Sequence, residues 1–427
     1  VSELAWIDAA LVAARPQALG ALLRYFRDLD VAEEAFQEAC LRALKSWPQN
    51  GPPRDPAAWL ILVGRNAALD GVRRRARDTA LPDETALSDL DDVEAPLAER
   101  LDGSHYRDDV LRLMFVCCHP ELPATQQIAL ALRVVAGLSV KQIARAFLVG
   151  EKAMEQRITR AKARIARAET PFEAPGAAER AERLAAVAAM LYLVFNEGYS
   201  AGEREARAQL CEEAIRLTRL LLRLFPTEPE VMGLAALMLL KHARAPARFD
   251  AAGEIVLLED QDRRRWDGKL IAEGLALIDK AMRHRAAGPY QIQAAIDGLH
   301  ARAARFADTD WTGVERLYAA LERIQPSPVV TLNRAAALAK VAGPDAALAM
   351  IEPLAERLSG YFHFHGARGA LLLQLGREAE ARACFDQAIA LANSAAEANH
   401  IRQHLDRLGQ EAAQRRELSG RAAPARP

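Results

Sequence analysis

Apolar residues recur at helical intervals through most of the chain. Over residues 31–47, "VAEEAFQEACLRALKSW", the stripe is Phe36, Cys40, Leu44 and Trp47. Over 57–77 it is Trp59, Leu62, Val63, Ala67 and Val72, which leaves Arg65, Asn66, Arg73, Arg74 and Arg75 outward. Between the two, "PQNGPPRDP" is dense in Pro and Gly and is expected to be non-helical. Farther on, Val140, Ile143, Ala144 and Phe147 share one face. The pattern breaks at Leu148-Val149-Gly150, and a second helix turns Met154 and Ile158 inward. A short helix, a three-residue turn and a longer helix form the layout of a helix-turn-helix. From Ala178 onward helix follows helix, broken by short Pro or Gly interruptions.

Composition narrows the fold class. Hydrophobic residues make up 51% and aromatics only 6%, with few β-branched residues, so an all-α chain is expected. Its length suits about three domains. The five cysteines are odd in number and form no CxxC pair, which fits a reducing compartment. The longest apolar run, Ala185 to Phe195, is too short to span a bilayer and no leader is evident, so a cytoplasmic protein without a membrane partner is expected.

Net charge is −1, so a nucleic-acid site has to be local. Charge is in fact uneven. Arg65, Arg73, Arg74, Arg75 and Arg77 close the first helical segment. Eleven acids then fall between Asp78 and Asp109, opposed only by Arg100 and Arg107, in a stretch with Pro82, Pro96 and Gly103 that reads as an acidic linker. From Lys141 to Arg167 eight basic residues stand against Glu151 and Glu155. Lys152, Gln156 and Arg160 lie at i, i+4 and i+8, on a face that Met154 and Ile158 do not occupy. Gln and Arg can hydrogen-bond base edges, and the surplus positive charge suits phosphates. The plainer alternative is a solvated helix with a basic stripe.

In this order, "DVAEEAFQEACLRALKSWP", "PAAWLILVGRNAALDGVRRR" and the helix-turn-helix "GLSVKQIARAFLVGEKAMEQRITRAKARI" resemble regions 2 and 4 of an extracytoplasmic function (ECF) sigma factor of the sigma-70 family. "LYLVFNEGYSA", "LCEEAIRLTRLL", "EPEVMGLAALMLL" and "VLLEDQDRRRWD" are similar to the long C-terminal extension of one ECF subgroup. The resemblance implies region 2 over 1–77, an acidic linker over 78–108, region 4 over 109–170 and a helical extension over 171–427. It places Glu33, Glu34, Gln37 and Glu38 where region 2 docks on the β′ coiled coil of core RNA polymerase, with the β flap as a further polymerase contact. The loop from Gln49 to Asp55, which contains Arg54, stands where a base of the −10 element is flipped out. Trp59, Arg65, Asn66, Arg73, Arg74 and Arg75 stand where the non-template strand is held. For Trp59 a core position is the competing reading. Lys152, Gln156, Arg157, Arg160, Lys162 and Arg164 fall on the −35 reader. The linker would thread the polymerase channel.

In the extension, "VVTLNRAAALAKVAGPDAALAMIEPL" and "FHFHGARGALLLQLGREAEARACFDQAIAL" repeat one another. Their glycines Gly343 and Gly376 stand 33 residues apart, near the tetratricopeptide (TPR) period, so TPR-like repeats are expected over 328–392 with a protein or peptide partner. Ala336 and Gly369 are small enough for helix crossings. "FNEGYS" is read as a helix stop with Gly198 in the left-handed region, or else as a pocket of Asn196, Glu197 and Tyr199. Cys117, Cys118 and His119 continue an apolar helix, and His363 and His365 diverge on one. No metal, cofactor or catalytic site is therefore expected. The expectation is a sigma factor whose extension controls or supports it. The alternative is a helix-turn-helix regulator whose repeats sense a partner.

Overall fold

The computed structural model describes residues 5–76, 103–147, 149–168, 177–199, 204–250, 254–392 and four positions from 398 to 402, with 405. Among these the chain is all-α, with one isolated antiparallel bridge between Phe249 and Ile255. Two compact units divide it: residues 1–198 with 203–217, and residues 199–202 with 218–427. The acids from Asp78 to Asp102, and the side chains of Val72, Arg73, Arg74 and Arg75, lie outside what is described.

In the first unit α1 (Ala5–Phe26), α2 (Leu29–Asn50) and α3 (Pro56–Ala76) pack on one another, and α1 also packs on α4 (Gly103–Cys117). With three neighbours α1 buries Ile7, Ala14, Ala18, Leu19, Leu22 and Leu23, so it is apolar nearly all round. Asp28 caps α2 through the amides of Asp30 and Val31, at 2.9 and 3.0 Å. Asp55 caps α3 through those of Ala57 and Ala58. The buried stripe of α2 is Ala32, Phe36, Ala39, Ala43 and Trp47, and Leu44 faces solvent instead. The helix also runs on through Pro48 to Asn50, three residues into the expected loop. Only the last turn has to tolerate a missing N–H, and Gly51 ends the helix at φ +80°. Helix α4 begins at Gly103, inside the stretch read as linker. Its Asp109 is no solvated tether acid. It is fully buried, 3.4 Å from Arg24 and 3.2 Å from Arg112. Gly20 meets the Asp109 carbonyl so closely that a Cβ there would stand 2.6 Å from the oxygen.

Then follow α5 (Ala124–Val134), α6 (Val140–Ala146) and α7 (Glu151–Ala166). Helix α8 (Ala177–Tyr199) begins in the first unit, and α9 (Arg204–Leu224) passes from the first to the second. Helix α8 does not stop at Gly198 but continues through it to Tyr199. Its apolar run buries Val187, Ala188, Met190, Leu191, Val194 and Phe195. Cys117 and Cys118 are buried core residues, and their burial raises both thiols, Cys118 to about 12.

In the second unit α10 (Pro229–Ala243) is buried on all sides and packs against α11 (Gly268–Met282) and α12 (Pro289–Arg302). Helices α13 (Trp311–Ile324), α14 (Pro328–Ala342), α15 (Pro344–Ile351), α16 (Phe362–Gln374) and α17 (Glu378–Leu391) follow. The last four form two helix pairs, turned at Gly343 (φ +89°) and Gly376 (φ +74°), which L side chains rarely adopt. The pairs share one core, from Leu332, Ala347 and Ile351 to Phe362, Phe364, Leu372 and Phe385. Gly369 is a true crossing, since a Cβ there would be 2.7 Å from the Phe385 ring. Ala336 is exposed, and Ala335 and Ala337 take the buried positions instead.

Between α10 and α12 lies a polar knot. Asp297 pairs with Lys241 at 3.2 Å and Arg244 at 3.5 Å, one turn before the buried His300. Desolvation lowers the His300 imidazole to about 4. Asp297 opposes the shift, and Arg244, Arg263 and Lys241 add to it. An unfolded histidine titrates near 6.5, so between about pH 6.5 and 4 the unfolded chain takes up a proton that the fold refuses. Stability from this group is complete above about pH 6.5 and falls by up to about 3 kcal/mol as the pH drops. Thermal unfolding followed from pH 7.5 to 4 should show this loss in the native chain and a shallower one in His300→Gln; parallel curves would rule it out.

Candidate polymerase and nucleic-acid interfaces

The helix-turn-helix is built as the periodicity implies. Ile143, Ala144, Met154, Ile158, Ala161 and Ile165 are buried, and the Val149 amide donates to the Ala144 carbonyl at 3.0 Å to close the turn. A capping box starts α6. The Ser139 amide donates to the Gln142 side chain at 2.8 Å, and the Gln142 amide donates back to the Ser139 hydroxyl at 3.2 Å. The S-x-x-Q spacing of Ser139 and Gln142 is a helix-start signal that the sequence carries.

On α7, Lys152, Gln156 and Arg160 are all exposed, and Arg157 is half-buried beside them. Lys162 and Arg164 differ. Arg164 donates to the Glu121 carbonyl at 3.2 Å. Lys162 is ion-paired to Glu33, and to Asp30 at 2.7 Å, on α2. Burial pulls the Lys162 ammonium down, but Glu33 and Asp30 outweigh it and the net shift is upward. Arg15 joins this cluster, 3.5 Å from Glu33, and donates to the carbonyls of Val134 and Arg133 at 2.9 and 3.2 Å. Helix α7 is thus tied through charge to α2, and sequence spacing alone gave no sign of it.

Glu33 is only 5% exposed, so it does not share the open face of Glu34 and Gln37. That face holds Glu34, Gln37 and the half-exposed Glu38 together with Val31, Leu41 and Leu44, which are 37%, 56% and 45% exposed. Acidic and exposed apolar side chains are thus interleaved along this one face of α2. The sequence reading found the acids but assigned Leu44 to the core.

On α3, Arg65 and Asn66 are exposed, and so is Arg54 in the preceding loop. Arg65 lies over the Tyr25 ring at 4.6 Å, beside a groove of about 310 Å³ that Arg24 and Ile61 also line. Tyr25 was missed because it falls in α1, outside the segments whose stripes were legible. Trp59 is half-buried and edge-on to Trp47 at 5.4 Å, so its ring serves the core at least in part.

Comparison with known proteins agrees with this layout. Residues 11–78 match sigma-70 region 2, residues 112–165 match sigma-70 region 4, and residues 183–282 match a family of unknown function, DUF6596. The chain is 71% identical over 415 residues to uncharacterized protein R00370 of Rhizobium meliloti (strain 1021), covering 97% of this chain and 98% of that one. No solved structure matches. The chain belongs to the sigma-70 family, as an ECF-type factor with a C-terminal extension. It is an RNA polymerase sigma factor: it binds core polymerase and promoter DNA and directs promoter-specific initiation. The alternative of a stand-alone helix-turn-helix regulator is not favoured, and the family is non-enzymatic.

Proposed function

We propose that the modules divide the work as 1–77 for polymerase docking and the −10 element, 109–170 for the −35 element, and 171–427 as a supporting extension, with 78–108 between the first two as a tether. The open stripe of α2 carries the docking assignment. Val31, Leu41 and Leu44 supply apolar area, and Glu34, Gln37 and Glu38 supply the charge that a basic coiled coil of the β′ subunit needs. Region 4 adds a contact to the β flap. Arg54, Arg65 and Asn66, with Tyr25 as a stacking surface, suit a single strand at −10. The arginines at 73, 74 and 75 continue that role along the sequence.

Lys152, Gln156 and Arg160 are the side chains best placed to enter a major groove at −35, with Arg157 beside them. Truncating Gln156 or Arg160 to alanine should cost about 1–3 kcal/mol each and relax the preference at individual −35 positions. Truncating Lys152, if it meets phosphate, should weaken all promoters alike and flatten the salt dependence. Binding to a set of −35 point variants at two salt concentrations separates the classes, and identical effects on specificity would place the wrong face in the groove.

Two observations support a positive role for the extension. Its first helix, α8, and the start of α9 belong to the same compact unit as both sigma regions. It is also rich in Arg as well as Glu, with Arg263, Arg264 and Arg265 in succession, which suits a mask over the basic α7 poorly. Ending the chain after residue 170 should therefore lower promoter-specific transcription, and a truncated protein more active than the full chain would make the extension an inhibitory lid. The repeats of α14 to α17 offer a surface for a protein or peptide partner. This work belongs in the cytoplasm, and among the described residues no helix is long and apolar enough to cross a membrane.

A further inference from the structure

The segment "DQDRRRWD" has no part in the proposed polymerase and promoter faces, yet it gathers cationic and aromatic side chains within the second unit. Asp262 opens a short helical turn by accepting the Arg264 amide, and this fixes Arg263 and Trp266 one turn apart, facing the polar knot. The Arg263 guanidinium donates to the carbonyls of His300 and Ala303 at the end of α12 and lies 4.7 Å from the Trp266 ring. Arg244 approaches the same ring at 5.6 Å from α10. His300 completes the group, with its own ring edge-on to Trp311.

Charge does not balance here. Lys241, Arg244 and Arg263 bring three cations and the neutral His300 adds none; Asp297 pairs with the first two, and Asp308, which also acts on Arg263, is itself paired with Arg305. Hydrogen bonds do not balance either. Among the described residues Arg244 Nε, Arg263 Nη2 and Trp266 Nε1 are buried donors without an acceptor, His300 Nδ1 is buried without a partner, and Trp266 and His300 are 7% and 8% exposed. Buried donors of this kind cost free energy unless something accepts from them, and like charges at close range raise the cost. One group resolves both deficits: an anion with several acceptor oxygens, since guanidinium donors match carboxylate and phosphate geometry.

We propose that this knot is a binding site for an oxyanion, the carboxylate or phosphate group of a small ligand, gripped by Arg244, Arg263 and the indole N–H of Trp266. The ligand would make stability of the second unit respond to its concentration by mass action. The proposal does not depend on the assignment of the polymerase and promoter faces.

The test is calorimetric titration of the full chain with inorganic phosphate and, separately, acetate, at pH 7 and constant ionic strength set by chloride. Saturable binding of at least one is expected, with a matching rise in thermal stability. Arg244→Met should weaken it about tenfold or more, and Trp266→Phe, which keeps the ring and removes only the N–H, by a few-fold. Arg264→Ala, at an exposed side chain paired with Asp262, should leave binding unchanged. Tighter phosphate assigns a phosphorylated ligand, and tighter acetate a carboxylate. Absence of saturable binding by either anion, or binding unaltered in a folded Trp266→Phe and in Arg244→Met, would overturn the proposal. Circular dichroism establishes that each variant is folded.

Discussion

Reversing Glu34 and Glu38 together to lysine should reduce affinity for core RNA polymerase by about a hundredfold or more and leave unfolding of the free protein nearly unchanged. Glu34 is exposed, and the Glu38 carboxylate is 45% exposed and bound to Arg42, one turn on, at 3.1 Å. Losing that surface pair, and placing a lysine beside Arg42, costs the free chain a few tenths of a kcal/mol. At an interface the same change replaces two attractions with two repulsions among desolvated groups, where single charges are worth several kcal/mol. Leu41→Glu, which acts through area rather than charge reversal, should weaken docking as well. Co-purification with core polymerase and a binding isotherm measure both. Undiminished affinity in the double variant would remove α2 as the docking surface.

Glu33→Ala should behave in the opposite way, with its main effect on the first unit itself. Glu33 is buried between Lys162 and Arg15, and removing it leaves Arg15 without its carboxylate and Lys162 with only the exposed Asp30, at a cost of about 3–5 kcal/mol. Asp30 also meets Lys162, but its side chain is 75% exposed, so Asp30→Ala should cost under about 1 kcal/mol. Replacing both partners, in Glu33→Leu with Lys162→Met, should recover much of the loss, because breaking one half of a buried pair is worse than removing the pair. Denaturant unfolding of the full chain, followed through the transition of the first unit, distinguishes these. Equal effects of Glu33→Ala and Asp30→Ala would show that Glu33 is not held in the way described.

The contrast between these glutamates shows what the sequence could and could not reveal. Helix α2 was legible because Phe36 and Trp47 anchor a stripe. Its rotation was misjudged because Ala32, Ala39 and Ala43, small residues in an Ala-rich chain, fill the inward face where Leu44 was expected. The core of the helix-turn-helix and the exposed positions of Lys152, Gln156 and Arg160 were legible, since they lie within one local period, whereas the engagement of Lys162 and Arg164 was not. Helix α1 was not, because burial against three neighbours erases the polar face that periodicity detects. The pairing of Lys162 with Glu33 spans 129 residues, and the knot around Trp266 joins three separate segments. No local pattern encodes such partners. The TPR-like glycines were legible because a positive φ at a helix turn leaves a mark on residue choice itself.

The central claim is that this chain lends core polymerase a promoter preference. Run-off transcription on a library of promoter-bearing templates, using purified core polymerase with and without the full-length protein, tests it most directly. The account predicts discrete transcripts from a defined start on a subset of templates, dependent on the protein and lost with the Glu34 and Glu38 reversal. The same products in the same amounts with and without the protein would contradict it.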